Sequence, residues 1–340
     1  MSFRTVLSDP MLRMLVTAIA LAALLPATGD ARGVAGAVAN AAIFVLFLLN
    51  GMRIARGDIV AGVANWRFLL PLILWVFGAM AVIGLALSSL ASAWLAPSVA
   101  LGFLYLGVLP SAVSSSIAYT AMARGNVPAA ICSAAASNVF GMMLTPFLLL
   151  LLVSTSGAGE FSVAEALKDI VLQLLLPFAV GHALRAWLGG YLSRNESLMA
   201  RYDQCVIWII VYSAFSHSVV SGLWQNLPVQ AIVLAILICF GLLGLFMLIA
   251  RLMVRKLGFS LEDEAAVVFC GSKKSLASGL PMAKVLFSGH PGFGMIVLPI
   301  MCYNQIQVIV GAILAQKYRE KIQKAKSAPA HASENGCQNR

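Results

Sequence analysis

The stretch Phe269–Ala283, with the sequence FCGSKKSLASGLPMA, decides the fold because it places two adjacent lysines inside an apolar segment, residues 262–287. Lys273 and Lys274 lie about twelve residues into that segment, near its centre. Burying one ammonium group at the centre of a bilayer costs at least about 2.5–3.5 kcal/mol, even on the most lenient insertion scale. Glycine and serine beside the lysines also weaken a continuous helix. The stretch therefore predicts a broken membrane helix whose lysines have a functional role.

The composition of the whole chain agrees with a membrane protein. Of its 340 residues, 61% are hydrophobic and only 11% are charged, and the mean hydropathy is +0.92. A soluble domain is about a quarter charged, so this chain could not cover a water-exposed surface with polar side chains. Disordered, fibrous and disulfide-rich secreted proteins are excluded by the same composition. The composition predicts a polytopic membrane protein.

Ten apolar segments have the length that spans a bilayer. They are residues 11–27, 33–53, 66–90, 98–122, 127–152, 165–188, 202–225, 229–252, 262–287 and 293–317. Pro110 and a serine cluster interrupt the fourth, and the lysine stretch interrupts the ninth. The predicted fold is therefore all-α, with ten transmembrane helices of which the fourth and ninth are discontinuous.

The formal net charge of +10 is explained by the orientation of the chain in the membrane and does not indicate a nucleic-acid partner. Eighteen of the 23 lysines and arginines fall on the side of the N-terminus, two fall on the other side, and three lie in the ninth span. An excess of these residues marks the cytoplasmic side. Both termini are therefore predicted in the cytoplasm, and the chain in the cell (inner) membrane. Residues 319–340 are predicted to form a basic, disordered cytoplasmic tail.

The two halves of the chain repeat short features at a common spacing. Leu24–Pro26 (LLP) recurs as Leu175–Pro177, and the interrupted fourth span corresponds to the interrupted ninth. Each half has five spans, an odd number, so the second copy enters the bilayer from the opposite side. The sequence thus predicts two inverted repeats, residues 1–160 and 161–318. Paired interrupted segments are the best sequence pointer to the binding site of a transporter.

Backbone freed at the two interruptions must line a polar cavity or be buried against protein. Serines and amides near the breaks are the candidate ligand groups. The predicted substrate and ion site comprises Ser111, Ser114, Ser115, Ser116, Asn138, Gly271, Ser272, Lys273, Lys274, Ser275, Asn304 and Gln305. The serines would otherwise allow close helix packing, and Asn304, Gln305 and Gln307 would bond across helices. His217 and His182 are either proton relays or hydrogen-bonded packing residues.

The lysine pair has no obvious acidic partner, because none of the thirteen acidic residues is predicted deep in a span. Three outcomes stay open: the lysines lose their protons by desolvation, carbonyl and hydroxyl groups hold them, or an anionic substrate completes the site. Lys284 lies nearer the outer end and is expected to extend to the interface. No catalytic, metal-ligand or nucleotide-binding pattern occurs, so neither an enzyme nor a cofactor is predicted.

Two motifs resemble the bile acid:sodium symporter superfamily. They are Pro110–Asn138 (PSAVSSSIAYTAMARGNVPAAICSAAASN) and Phe269–Ala283, the second being similar to the SBF-like branch. The resemblance extends from about Pro10 to Tyr318. It implies a panel domain of spans 1, 2, 6 and 7, a core domain of spans 3–5 and 8–10, and broken helices that cross in the core. It also implies a secondary transporter that carries a small organic anion by alternating access, or alternatively a membrane regulator of another ion pathway such as calcium influx.

The chain departs from the sodium-coupled members at their ion ligands. Those members place a glutamate before a Gly-x-Gln-Asn run in the ninth span, whereas Phe269–Cys270 precedes the lysines here. The family's Ser-Asn pair in the fourth span falls on Ser116–Ile117, and hydroxyl ligands of the fifth span fall on Ala130 and Ala134. The resemblance therefore implies that both sodium sites are lost.

This loss leads to a hypothesis about coupling. Lys273 or Lys274 would occupy the space of a sodium ion as a fixed positive charge. A carrier built in this way would be sodium-independent, or coupled to protons if a lysine titrates.

Overall fold

A computed structural model describes residues 10–53, 66–156, 168–222, 229–287, 290 and 292–337. Over these ranges the regular structure is helical, and β-pairing is limited to one isolated bridge. The helices are α1 Pro10–Leu24, α2 Asp30–Arg53, α3 Trp66–Ala91, α4 Pro97–Val108, α5 Val113–Met122, α6 Val127–Ser156, α7 Leu176–Arg194, α8 Glu196–Val220, α9 Val229–Lys256, α10 Leu261–Ser272, α11 Leu276–Leu286 and α12 Phe293–Cys337. The all-α prediction is confirmed.

Seven helices in the described parts of the chain are long and apolar enough to cross a membrane. The protein is therefore a multi-span membrane protein. Helix α1 has 15 residues, and α4, α5, α10 and α11 have 12, 10, 12 and 11. At a rise of about 1.5 Å per residue, α4 and α5 together reach about 33 Å, close to the thickness of the hydrocarbon core. A count of ten spans requires that α4 with α5, and α10 with α11, each form one span. This count stays a prediction.

The helix breaks lie where the sequence predicts interruptions. Leu109, which precedes Pro110, is extended with φ −70° and ψ 149°, as expected because a proline ring disfavours helical backbone at the preceding residue. In the second break Lys273 is extended with φ −88° and ψ 136°. Ser275 then starts α11, since its side chain accepts a hydrogen bond from the Ser278 N–H.

The helices pack in two groups. Helices α1, α2, α7 and α8 contact one another, and α3–α6 contact α9–α12. Contacts between the groups are made by α8 with α11 and α12, and by Val171–Leu175, directly before α7, with α6 and α11. In the first group the backbones of α2 and α7 approach closely: a Cβ added to Gly181 would overlap the Leu48 carbonyl oxygen, and one added to Gly51 would overlap the Phe178 carbonyl oxygen. Small residues permit this kind of close packing between membrane helices.

The end of the chain differs from its prediction. Residues from 319 onward are predicted to be disordered, but α12 continues to its last described residue. Tyr318 and Ile322, four residues apart on one helix face, are buried. The Tyr318 hydroxyl donates to the Glu264 carboxylate at 2.7 Å, and Arg251 and Arg255 bind the same carboxylate at 2.9 and 2.8 Å. This packing extends the helix past the predicted end of the tenth span.

Candidate substrate and ion site at the helix crossing

The two helix breaks meet inside the second packing group. An isolated antiparallel bridge joins Ser111 in the first break to Lys274 in the second. We call residues 107–112 and 271–275, taken together, the helix crossing. Both segments are buried, so water is not available to satisfy the backbone groups that the breaks release. Each of those groups needs a partner from the protein.

Every backbone carbonyl from Gly107 to Pro110 and from Gly271 to Lys274 accepts a hydrogen bond. In the first segment the donors are Lys274 Nζ to Gly107 (3.0 Å) and Leu109 (2.8 Å), Thr145 Oγ1 to Val108 (2.7 Å) and the Ser275 N–H to Pro110 (3.0 Å). In the second they are Trp75 Nε1 to Gly271 (3.0 Å), the Tyr303 hydroxyl to Ser272 (2.6 Å), the Ala112 N–H to Lys273 (3.2 Å) and Gln307 Nε2 to Lys274 (2.9 Å). The crossing thus meets the requirement that membrane-embedded backbone be paired.

The Gln307 side chain pairs with the extended backbone at Lys274 in the way that a neighbouring strand would. Its Oε1 accepts from the Lys274 N–H and its Nε2 donates to the Lys274 carbonyl oxygen, both at 2.9 Å. Gln307 Nε2 also donates to Asn304 Oδ1 at 3.0 Å, so the predicted site residue Asn304 orients Gln307. Gln307 itself, which is 1% exposed, is absent from the predicted site.

Replacing Gln307 with leucine will leave the N–H and the C=O of Lys274 buried without partners. An unsatisfied buried group costs about 1–3 kcal/mol. We therefore expect the Gln307→Leu variant to have a clearly lower thermal midpoint in detergent than the wild type. Gln316 lies on the same helix and is exposed, so Gln316→Leu is the matched control. Equal midpoints for the two variants would show that this pairing does not hold the crossing together.

The Lys274 ammonium group lies in a cage of backbone carbonyl oxygens. Its Nζ donates to Gly107 and Leu109 and lies 3.5 Å from the carbonyl oxygen of Val76. Gly107 and Leu109 are at the C-terminal end of α4, where unpaired carbonyls and the helix dipole favour a cation. Val76 belongs to the π-helical turn Leu74–Ala79 of α3. These three oxygens, the carbonyl cage, match the three N–H donors of an ammonium group.

Lys273 points in another direction, because consecutive side chains alternate along extended backbone. Its Nζ lies 3.4 Å from the centroid of the Tyr119 ring, a cation–π contact, and makes no hydrogen bond with the described residues. Gly311 provides the space, since a Cβ there would lie 2.9 Å from this nitrogen. Neither Lys273 nor Lys274 forms an ion pair with a described acid. The two lysines therefore face two different parts of the core.

The predicted serines of the first break have different environments. Ser111 is fully buried, and its Oγ makes no hydrogen bond with the described residues. Ser116 is also fully buried and donates to the Phe269 carbonyl oxygen at 3.0 Å, which ties α5 to α10. Ser115 is half-buried and Ser114 is exposed. Of these four serines only Ser111 and Ser116 are buried, and only Ser111 lies in the helix crossing.

The remaining predicted site residues lie either near the crossing or in the first packing group. Asn138 Oδ1 accepts from the Ser278 hydroxyl at 3.0 Å, next to the N-terminus of α11. Gln305 Nε2 is buried without a hydrogen-bond partner among the described residues. His182 and His217 lie on α7 and α8, in the first group. Their role as proton relays stays a prediction.

Several side chains that pair with the backbone of the crossing are not part of the sequence prediction. They are Trp75, Thr145 and Tyr303, together with Ser137, whose Oγ accepts from the Ser111 N–H at 3.1 Å. A predicted break indicates how many backbone groups need partners. The candidate partners are hydroxyl, indole and amide side chains in neighbouring spans. The sequence does not show which of these side chains reach the break.

The chain belongs to the SBF-like CPA transporter family, whose sequence profile matches residues 9–320. This confirms the resemblance found in the two motifs. An uncharacterised protein of Pseudomonas aeruginosa is 42% identical over 326 residues, which cover 96% of this chain and 97% of the relative. YfeH of Escherichia coli, a symporter by name, is 41% identical over 317 residues, 92% and 93% of the two chains.

Vertebrate relatives are more distant but carry informative names. The rat protein named sodium/bile acid cotransporter 7 is 26% identical over 315 residues, which cover 88% of this chain and 89% of the relative. The named relatives are thus transporters or symporters and not enzymes. The protein is a membrane transporter by family.

Proposed function

We propose that this protein is a secondary transporter of a small organic anion in which Lys274 takes the place of a transported sodium ion. The carbonyl cage is the observation that supports this proposal. Backbone carbonyls converging on one point are the usual ligands of alkali cations in membrane proteins. Here the Nζ of Lys274 fills that point. The cation is covalently attached and cannot leave with the substrate.

The architecture is consistent with alternating access between two parts. We assign α1, α2, α7 and α8 to a panel domain and α3–α6 with α9–α12 to a core domain, following the two packing groups. Ten spans then form two inverted repeats, residues 1–160 and 161–318, whose boundary lies outside the described residues. The core would move against the panel with the crossing at its centre. Both termini would lie in the cytoplasm, with the chain in the inner membrane.

An anionic substrate is supported by the uncompensated polar groups at the crossing. Lys273 is 1% exposed, its Nζ has no hydrogen-bond partner, and no described acid pairs with it. The fully buried Ser111 hydroxyl is also without a partner among the described residues. Buried polar groups are normally satisfied. A carboxylate or sulfonate that approaches Lys273 during the transport cycle would compensate its charge.

Transport by the purified protein will be independent of sodium. We expect uptake of labelled carboxylates and sulfonates into proteoliposomes to be the same in sodium chloride as in choline chloride. Lys274→Gln will reduce this uptake at least about tenfold, because the cage loses its charge. Lys168 is exposed, and Lys168→Gln will leave uptake unchanged. Sodium-dependent uptake that Lys274→Gln does not affect would overturn the proposal, and effects seen only with a second channel or carrier present would instead indicate a regulator.

A further inference from the structure

A polar cavity lies between the two packing groups, away from the carbonyl cage. Its volume is about 150 Å³, and it is bordered by the start of α2, the end of α8, the end of α11 and the start of α12. The polar residues in its wall are Arg32, Ser213, Ser216, His217, Lys284 and His290. By the charge distribution along the chain, this end of the helices is the predicted outer side. None of the residues predicted for the substrate and ion site lines this cavity, whereas His217, predicted as a proton relay or a packing residue, does.

The cavity carries positive charge without an opposing carboxylate among the described residues that line it. Arg32 is exposed at its rim, and Lys284 is half-buried in its wall. Because both cations line the same cavity, their like charges repel each other. Lys284 Nζ lies 5.4 Å from the centroid of the Phe293 ring and forms no ion pair with a described acid. An anion between Arg32 and Lys284 would remove the repulsion and pair both charges.

Two further groups favour an anion at the same place. Helix α12 begins at Phe293, a lining residue, and the positive end of its helix dipole favours negative charge nearby. His290 lies between α11 and α12, where burial lowers its pKa and keeps the imidazole neutral near pH 7. Its Nδ1 accepts from the Gly292 N–H at 3.0 Å, so Nε2 carries the proton and is a donor. His290 can therefore hydrogen-bond an anion.

The apolar part of the wall and the size of the cavity limit the ligand. Ala27, Ala35, Phe287 and Phe293 line it beside the cations. An apolar cavity of about 150 Å³ holds a molecule of the size of benzene, whereas sites for drug-sized ligands are about 300–1,000 Å³. A bile acid is far too large for this space. The volume and the lining of the cavity fit a small organic acid with an apolar body.

We propose that this outer cavity is a binding site for a small organic carboxylate, of benzoate size or smaller, whose carboxylate is held by Lys284 and Arg32. The site gives the proposed transporter a contact with its substrate on the outer side and excludes steroid-sized anions. Its role in transport rests on the proposed function, but the binding itself does not. Binding and transport can therefore be tested separately.

The test uses the purified full-length protein and benzoate as the probe. Benzoate will raise the thermal midpoint in a saturable manner, and benzamide, its neutral counterpart, will not. Lys284→Gln will weaken benzoate binding at least tenfold, Lys284→Arg will largely keep it, and Lys168→Gln will leave it unchanged. Taurocholate will not compete with benzoate for the site. Calorimetric titration of the same variants gives the affinities directly.

Three results would overturn this assignment: no saturable effect of benzoate, an equal effect of benzamide, or benzoate affinity unchanged in Lys284→Gln. The Lys274→Gln variant separates this site from the central one. It should lose transport yet still bind benzoate, because Lys274 is not part of the outer wall. If Lys284→Gln loses binding while transport of all anions proves absent, the outer site stands and the transport proposal fails.

Discussion

A Lys274→Ala variant will be stabilised by sodium, whereas the wild-type protein will not. Removing the side chain leaves the carbonyl oxygens of Gly107 and Leu109 without their donor, at a cost of about 1–3 kcal/mol each. The emptied carbonyl cage then offers Val76 and these two oxygens to a small alkali cation. We expect a marked fall in the thermal midpoint in choline chloride and a concentration-dependent recovery in sodium chloride. At a sodium concentration 100 times its dissociation constant, the recovery would be about 2.7 kcal/mol.

Two control variants make this prediction specific to the carbonyl cage. Lys273→Ala removes an equal side chain that points towards Tyr119 and makes no hydrogen bond with a carbonyl, so sodium should not restore its stability. Lys168→Ala alters an exposed lysine and should behave as the wild type in both salts. If sodium stabilises all four proteins alike, or none of them, the cage is not a cation site.

The Gly181→Ala substitution will be the most damaging single-methyl change in the first packing group. An added Cβ would overlap the Leu48 carbonyl oxygen, and backbone atoms of a packed helix cannot rotate away as a side chain can. Overpacking typically lowers the free energy of unfolding by about 1–3 kcal/mol. We expect the loss of stability from Gly181→Ala to lie at the upper end of this range or above it. Separation of α2 from α7 will appear as a large fall in the thermal midpoint and in the yield of monodisperse protein.

Gly190 provides the matched control on the same helix, because a Cβ added there meets nothing within 4 Å. Alanine is favoured over glycine in helices by up to about 1 kcal/mol, so Gly190→Ala should be neutral or slightly stabilising. Similar midpoints for Gly181→Ala and Gly190→Ala would mean that α2 and α7 can separate without loss. The comparison thus distinguishes steric overlap from helix propensity.

The helix breaks were predictable because their causes are local. Pro110 removes a donor and forces extended backbone before it, and Gly271 with its neighbouring serines and lysines weakens the second helix. The helix boundaries follow the same logic, since charged residues and prolines end the apolar segments. The family followed from residues in and around these breaks, and the sequence profile confirms it.

The partners at the crossing could not be predicted in the same way. The carbonyl cage is made of backbone oxygens of Val76, Gly107 and Leu109, and any residue type carries such an oxygen. Which lysine reaches the cage depends on the register in which the two extended segments pair. The outer cavity was missed for a related reason: Arg32, Lys284 and His290 are separated in sequence and meet only through packing.

A cation that is covalently attached changes the energetics of the proposed transport cycle. When a monoanion crosses together with sodium ions, their positive charge offsets its own, and the sodium gradient adds driving force. With Lys274 in the carbonyl cage, the lysine charge is present in both the loaded and the empty protein. The two therefore differ only by the charge of the substrate. Each monoanion would then respond to the membrane potential by about 2.3 kcal/mol per 100 mV. A potential that is negative inside would therefore oppose entry of the anion and drive its exit, so the replacement of an ion by a lysine would favour efflux.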